Sequence, residues 1–242
     1  MLGLPIQYLI GEQIDIKTFI TSDLKPNEKK RLKETVMNVS LEYQLAGEEI
    51  PSLINDDYDC QAILFFDIKL NSIKNASFVG EIIQKLGKPL YVIKMYDHTG
   101  VEVYHFAHKR LSIQDRSQVV VLDMVITSPT SQEFEDEINV LMEEYTAFSK
   151  IKNRTNKLSF YLEMMVKSYI ISDTSLWSRS KSLLDNKVWY NADDVIRLFE
   201  KLKRVEQLKR EQRSVKTISA TSKINSELKM IYTGLEKIIG KA

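Results

Sequence analysis

The most regular hydrophobic pattern of this chain lies at its C-terminal end, from Asn191 to Ala242. This stretch contains no proline, and its only glycines are Gly234 and Gly240. Its apolar residues recur in steps of three and four, the spacing of a helix that buries a narrow stripe against another helix. Two stripes are present, Val195, Leu198, Leu202 and Val205, then Ile224, Leu228, Ile231, Leu235 and Ile238. We call the segment from 191 to 242 the C-terminal arm.

The arm is predicted to be a long helix or a helical hairpin. Its two stripes are separated by Gln212–Ser222, where Ser and Thr side chains compete for backbone hydrogen bonds and weaken helix formation. The stripes can pair within one chain or between two chains, or they can dock a partner. We therefore predict a partner-binding surface made of Leu198, Leu202, Val205, Leu228, Ile231 and Leu235.

Upstream of the arm, strand and helix periods alternate. Val39–Leu45 alternates polar and apolar residues, as a half-buried strand does. Cys60–Leu70 contains five consecutive apolar residues, which predicts a central strand covered on both faces. A helical stripe from Phe78 to Leu86 and a strand at Leu90–Ile93 follow. This strand–helix–strand order predicts a right-handed crossover between parallel neighbours.

Further elements complete the predicted fold. They are an extended segment or edge strand at Leu2–Leu9, a helix from Pro26 to about Asn38, a hairpin joining Tyr91–Tyr96 to Val101–Ala107, a strand at Val119–Ile126, and amphipathic helices at Phe134–Tyr145 and Leu158–Ile171. The fold class is therefore α+β or α/β, a mixed sheet covered by helices with a C-terminal helical arm. We predict two domains, a body at 1–190 and the coiled-coil-like arm at 191–242.

Length and composition bound the class of protein. A chain of 242 residues can bury one good core. Its 43% apolar and 28% charged residues are typical of a soluble globular protein. No segment approaches the roughly 18 apolar residues of a membrane span, and Met1–Gln13 lacks the basic start of a secretory signal. Cys60 is the single cysteine, so we expect a reducing cytoplasm.

The net charge of +1 conceals an uneven distribution. Between Lys201 and Lys216, seven cations stand against two anions, a local charge of +5, which leaves −4 for the rest of the chain. Such a segment suits nucleic acid or an acidic protein face, although a solvated helix surface with ion pairs explains it as well. The predicted nucleic-acid-binding residues are Lys201, Lys203, Arg204, Lys209, Arg210, Arg213 and Lys216.

One short motif suggests catalysis. Asp67-Ile68-Lys69 ends the predicted central strand, and Asp-x-Lys on a strand forms half of a metal-dependent nuclease signature. The carboxylate would hold Mg²⁺ and the lysine would activate water. The signature also needs an acid on a neighbouring strand, for which Glu34 and Glu42 are distant candidates. An alternating strand that emerges into solvent produces the same three residues by chance.

Other chemistries lack their residue sets. His105 and His108 are three apart on a predicted strand, which places them on opposite faces, and His98 falls in a turn. With Cys60 as the lone thiol, no zinc set is formed. The sequence has no P-loop, no GxGxxG and no GxSxG motif. We therefore expect no metal and no cofactor.

Several segments together resemble one family. They are Met1–Pro5 followed by Ile14, Lys17 and Phe19, then Tyr43–Ala46, Phe66–Leu70, Ile82–Val92 and Lys223–Lys229. These are similar to the prokaryotic family of domain of unknown function 4391, over nearly the whole chain. The resemblance implies a genomic setting beside helicases and DNA methyltransferases in bacterial restriction and antiviral-defence loci. It implies no catalytic residues.

These observations favour a non-catalytic accessory subunit of a bacterial antiviral-defence or restriction-type DNA-targeting complex. The expected partner is a larger helicase, ATPase or nuclease subunit, docked through the C-terminal arm, and self-association through the arm is possible. One alternative is a metal-dependent nuclease that uses Asp67 and Lys69. Another is a DNA-binding adaptor that acts through the basic part of the arm.

Overall fold

The computed structural model describes residues 2–131 and 136–240. Its centre is a seven-stranded mixed sheet with strand order β1-β2-β5-β6-β7-β8 and β9 paired to β7. The strands are β1 (Leu9–Gln13), β2 (Val36–Leu45), β5 (Ile63–Leu70), β6 (Leu90–Tyr96), β7 (Val101–Leu111), β8 (Val119–Ile126) and β9 (Thr130–Ser131), while β3 (Leu53–Ile54) and β4 (Asp59–Cys60) form a separate small sheet. Only the β5–β6 pair is parallel among the described strands.

Six α-helices accompany the sheet in the described residues. They are α1 (Pro26–Thr35), α2 (Ala76–Gln84), α3 (Glu137–Thr146), α4 (Lys157–Ser172), α5 (Ala192–Ser214) and α6 (Ile218–Ile239). The mixed sheet, its helical cover and the C-terminal helices confirm the predicted fold class. None of these helices is both long and apolar enough to cross a membrane.

The predicted elements agree with the structure in type more closely than in boundary. β5 is central, and α2 carries the chain from β5 to its parallel neighbour β6, as predicted. The helix expected to reach Asn38 ends at Thr35, and the strand begins at once with Val36. Cys60 belongs to the short strand β4 rather than to β5. Phe134, the expected start of the next helix, lies outside the described residues.

The sheet has a different helical cover on each face. Phe66 and Ile68 of β5 point to the α1 and α2 side, where they join Leu32, Val79 and Ile83 in one cluster. The alternate residues of β5 point to the α4 side and join a larger cluster. Its β5 and α4 members include Ile63, Phe65, Phe160, Tyr161 and Met164. Alternate residues of β5 point to opposite faces of the sheet, and helices cover both faces. This is why the strand needs a run of five consecutive apolar residues rather than an alternating pattern.

Helix α4 is buried on every side. Of its sixteen residues, all from Lys157 to Ile171 are buried. Tyr161 ties it to the sheet, because its hydroxyl donates to Tyr91 O at 2.9 Å and accepts from Ala107 N at 2.8 Å. The predicted amphipathic helix is thus an internal one, with no face left for solvent.

Three charged residues of α4 have partners inside the protein. Lys157 Nζ donates to the carbonyls of Gly47 at 3.0 Å and Ile50 at 2.7 Å. Glu163 forms an ion pair with Lys167 one turn later, and its carboxylate also accepts the backbone N–H groups of residues 152 and 153. The ion pair is the contact of Lys167 Nζ, which makes no hydrogen bond among the described residues. Burying a charge is costly unless it has a partner, so these contacts lower the cost of placing α4 in the core.

The C-terminal arm is a hairpin of α5 and α6 joined at residues 215–217. The stripes pair within one chain, and they also pack on the body. Leu198, Leu202 and Leu235 belong to the same hydrophobic cluster as α4. Farther along the hairpin, a small cluster of its own holds the two helices together, formed by Val205, Leu208, Ile224 and Leu228. The predicted boundary between 190 and 191 therefore does not separate two hydrophobic cores.

A chain that ends at residue 190 should lose its cooperative unfolding transition. It would uncover α4 by removing four fully or nearly fully buried side chains of α5 that share its cluster, Val195, Leu198, Phe199 and Leu202. Each such side chain contributes about 1.5–3 kcal/mol, and the total rivals a whole-domain stability of about 5–15 kcal/mol. Circular dichroism and calorimetry would measure the transition. A chain with only 210–222 replaced by a short glycine-rich turn is the control and should still melt cooperatively. Cooperative melting of the 1–190 chain would establish a separable arm.

Candidate functional site

Asp67 lies in a small charged cluster on the sheet. In the sheet register, Asp67 of β5 stands opposite Ser40 of β2 and Lys94 of β6. Lys94 Nζ lies 3.7 Å from the Asp67 carboxylate and 3.1 Å from that of Glu102 on β7. We call Asp67, Lys94 and Glu102 the sheet triad. It sits near the carboxyl ends of β5 and β6, where the apolar pattern of both strands gives way to polar residues.

Burial and charge act on Asp67 in opposite directions. Desolvation raises the pKa of Asp67 above its usual range, and the carboxylates of Glu42 and Glu102 add to this rise. Lys94 and a hydrogen bond from Tyr96 oppose it. The ammonium of Lys94 therefore compensates two carboxylates that are otherwise poorly solvated.

The structure places acids beside Asp67 that the sequence did not select. Glu42 comes from β2, and Glu102 reaches the site through the β6–β7 hairpin. Lys69 shares the face of Asp67 but is exposed and forms no ion pair among the described residues. No group of three His, Cys, Asp or Glu side chains in the described part of the chain is placed to hold a metal ion. As folded, the Asp67 site is a lysine-bridged carboxylate pair.

The two strand histidines are buried and neutral. They lie on opposite faces of β7, as predicted. The ring of His105 packs against α2 so closely that a Cβ on Gly80 would lie 2.3 Å from it. His108 stacks on Tyr58, with 3.2 Å between Nε2 and the hydroxyl. Burial lowers the pKa of each histidine to about 4, so neither is poised as a general base near neutral pH.

Two further buried groups have structural surroundings. Lys109 Nζ donates to the carbonyls of Gln84 and Gly87, both at 3.3 Å, and lies 3.9 Å from the centre of the Tyr91 ring. Burial lowers the pKa of Lys109 to about 7. Burial raises the pKa of Cys60 to about 12, which leaves the thiol protonated and unreactive. Hydrophobic periodicity did not identify Lys109 as a buried lysine, because it occupies a position of β7 that faces the interior and would normally carry an apolar residue.

The predicted partner-binding stripes are covered within the chain. Leu198, Leu202, Val205 and Leu235 are fully buried, Leu228 is nearly so, and Ile231 is half-buried. Their contacts are α4, the 3₁₀ turns before α5, and each other. These contacts correct the expectation of an exposed apolar surface. Each stripe packs against helices of the same chain, so it is not available to a partner.

Four of the seven cations predicted to bind nucleic acid have partners inside the molecule. Arg204 forms a bidentate pair with Glu227 at 2.7 and 3.0 Å. Lys203 lies 3.6 Å from Glu206, which also pairs with Arg210. Lys209 donates to the carbonyl of Ser175. Arg204 thus joins α5 to α6 and Lys209 joins α5 to the body, while Lys203 and Arg210 pair within α5.

The remaining cations concentrate at the end of the hairpin. We call residues 209–223 the tip. The tip carries five cations and one anion, and Arg213, Lys216 and Lys223 are exposed without an ion pair among the described residues. Ile218 is 91% exposed. Lys201, the seventh predicted cation, lies nearer the body at a pocket lined also by Asp194 and Arg197.

Comparisons with known proteins give one match. The family described as Domain of unknown function (DUF4391) matches residues 2–235, nearly the whole chain. No curated protein and no solved structure matches the chain.

Replacing Lys94 by methionine should destabilise the protein by about 2 kcal/mol, since it removes the cation that bridges Asp67 and Glu102 and takes the ion pair from the partly buried Asp67 carboxylate. The loss should shrink as pH falls from 7 toward 4, because burial raises the pKa of Asp67 and its protonation removes the charge that Lys94 compensates. Urea unfolding of both proteins across this pH range measures the effect. Lys69→Met, an exposed position without an ion pair, is the control and should change stability by less than about 0.5 kcal/mol. An equal effect of the two substitutions would contradict the bridging role of Lys94.

Proposed function

The chain belongs to the DUF4391 family, and we propose that it is a non-catalytic accessory subunit of a bacterial antiviral-defence or restriction-type DNA-targeting complex. In this role it docks a larger helicase, ATPase or nuclease subunit in the cytoplasm. The genomic setting implied by the family resemblance supports this choice of complex. The observation that carries the proposal is the tip, a basic and partly apolar end of a hairpin whose two apolar stripes are covered within the chain.

The shape of the hairpin favours a docking role for the tip. The last buried residues that join its two helices are Leu208 and Ile224. From Leu208 to Ser214, α5 continues for six residues, or about 9 Å at 1.5 Å per residue. Among the described residues from Lys209 to Lys223, Val215 alone packs on the small cluster, and it is only partly buried, so most of the extension makes no contact with a core. A rigid projection therefore presents Ile218 and the cations to another molecule.

The chemistry of the tip favours a macromolecular partner over a small molecule. The exposed Ile218 lies within five residues of Arg213, Lys216 and Lys223 along the chain, and the pocket that it lines with Lys216 is open to solvent. Small ligands are usually held in concave, largely apolar pockets. An exposed apolar side chain close in sequence to several cations suits an acidic protein patch, and the cations alone suit a phosphate backbone. The first is the proposed helicase or nuclease subunit, and the second is the DNA-binding adaptor.

Reversing charge at the tip should separate docking from folding. In a triple variant, Arg213→Glu, Lys216→Glu and Lys223→Glu, we expect co-purification with the neighbouring helicase or nuclease subunit to be abolished. Thermal stability should stay within about 0.5 kcal/mol of the parent, since these positions are exposed. The matched control reverses Lys29, Lys30 and Lys33 on α1 and should keep the partner.

Titration of duplex DNA against salt distinguishes the two partners. A docking subunit shows little DNA binding that depends on the tip. For a DNA adaptor, the salt slope of the triple variant should be smaller by about one unit for each replaced cation that neutralises a phosphate in the parent. If the triple variant keeps both its protein partner and its salt slope, the tip is a solvated helix end and the proposal is wrong.

The nuclease alternative has one observation in its favour, the approach of Glu42 and Glu102 to Asp67. Lys94 lies between Asp67 and Glu102, where a nuclease would hold a metal ion. We therefore expect a complex that contains Asp67→Ala to keep the activity of the parent complex. The measurement is Mg²⁺-dependent DNA cleavage by the whole complex, with the exposed Asp56→Ala as control. Cleavage abolished in a folded Asp67→Ala protein and kept in Asp56→Ala would make this chain the enzyme.

A further inference from the structure

Strand β8 forms one edge of the sheet. The strand path ends at β8, and β7 is its only partner strand in the described part of the chain. Its sequence, Val-Val-Val-Leu-Asp-Met-Val-Ile, contains seven apolar residues and one charge, Asp123. Val120, Leu122 and Ile126 are 40–43% exposed. An edge of this length and composition is a template for pairing with another strand.

β8 lacks most of the devices that keep edges apart in monomeric proteins. It has no lysine and no proline, and at eight residues it is not short. One bulge is present, at Leu122 of β8, because the consecutive β7 residues His108 and Lys109 pair with Asp123 and Val121. β8 pairs regularly with β7 on both sides of Leu122, so a further strand can bond its outer edge on either side of this residue.

Helix α5 forms a groove with this edge. Asp123 lines the groove together with residues of the middle of α5, namely Glu200, Lys203, Arg204, Glu206, Gln207 and Arg210. The groove holds three anions and three cations, so its charges balance. The groove therefore offers no net electrostatic attraction to a strongly acidic peptide or to a nucleic acid. A partner surface that also carries equal numbers of positive and negative charges is a better match.

The order of these charges on α5 is self-complementary. A two-fold axis that makes two β8 strands antiparallel also makes the two α5 helices antiparallel, and it passes near the middle of the stretch that faces Asp123. With the axis level with Val205, Glu200 of one helix, which has no ion pair among the described residues, faces Arg210 of the other helix, and this contact occurs twice. Arg210 pairs with Glu206 in its own helix, so the dimer gives it Glu200 of the second copy as a further partner.

We propose that β8 pairs with β8 of a second copy of this chain, which forms a two-fold dimer with one continuous sheet. An eight-residue strand buries much less than the roughly 800 Å² per partner of a standard interface. The flanking α5 helices supply the additional area, and their charge pairs set the register. The exposed part of the tip from Arg213 to Lys223 lies beyond Arg210 and remains free in this dimer, so one dimer presents two copies of it.

Opposite charge variants test the pairing of Glu200 with Arg210. In Glu200→Arg alone, two arginines face each other at both contacts of the dimer. In Arg210→Glu alone, two glutamates do. We expect each variant to dimerise about tenfold more weakly than the parent, since reversing two exposed pairs costs on the order of 1–2 kcal/mol. An equimolar mixture restores opposite charges at both contacts, and its heterodimer should recover the parental affinity in sedimentation velocity.

A lysine on the edge tests the strand contact itself. Leu122→Lys should make the chain monomeric, while Ile54→Lys, an equally drastic change at a residue 65% exposed outside the large sheet, should leave the dimer intact. Circular dichroism confirms that both variants fold. The proposal is overturned if the parent is monomeric at the highest attainable concentration. It is also overturned if Leu122→Lys dimerises like the parent, or if the mixed charge variants associate no more tightly than either alone.

Discussion

The burial of helix α4 on all sides is the constraint on which the rest of the structure depends. A sheet and a single helix layer would leave one face of α4 in water. Here that face is covered by α5 and by the 3₁₀ turns that lead into it, Ser180–Leu183 and Lys187–Tyr190. Trp189 is fully buried and its ring lies 5.3 Å from Lys167 Nζ. The molecule is therefore layered as helices, sheet, α4 and arm.

This layering assigns different tasks to the two ends of the hairpin. The end near the body is a structural cover, with its apolar stripe packed on α4 and two of its cations, Lys203 and Arg204, in internal contacts. In the tip, Lys209 and Arg210 also have internal contacts, whereas Arg213, Lys216 and Lys223 keep exposed charge beside the exposed Ile218. Function in this chain is thus expected at the periphery, at the tip and at the β8 edge, while the charges inside the core hold the fold together.

The sequence was informative wherever a single hydrophobic period determined the type of element and its buried side. The unbroken apolar run of β5, the stripe of α2 and the two stripes of the arm each specify an element and its buried side. It was least informative about α4, because Lys157, Glu163 and Lys167 suggest that this helix has a solvent-exposed face. Their partners are the loop around residues 47–52, the N–H groups of residues 152 and 153, and each other. Contacts between residues so far apart in the sequence produce no local pattern. The sequence therefore did not show that α4 is fully buried and needs the arm as its cover, and the arm was predicted to be a separate domain.

The sheet triad illustrates the same limit at the candidate site. Asp67 was visible as part of a short motif, but Lys94 and Glu102 reach it only through the pairing of β5 with β6 and of β6 with β7. Spacing along the chain cannot show a relation across three strands. The strand register shows that Asp67, the suspected metal ligand, is one of two carboxylates bridged by Lys94. It also places Glu42, one of the two distant candidates from the sequence, near Asp67.

Native-state hydrogen exchange tests the central claim most directly, because it reports the opening free energy of each segment in the intact chain. If α5 is the cover of α4, amides of 192–208 should open together with those of α4, in the most protected class. Amides of 209–223 should exchange much faster, as a projecting tip does. Uniformly fast exchange across the whole arm, with α4 still protected, would show that α4 does not need its cover and would contradict this account.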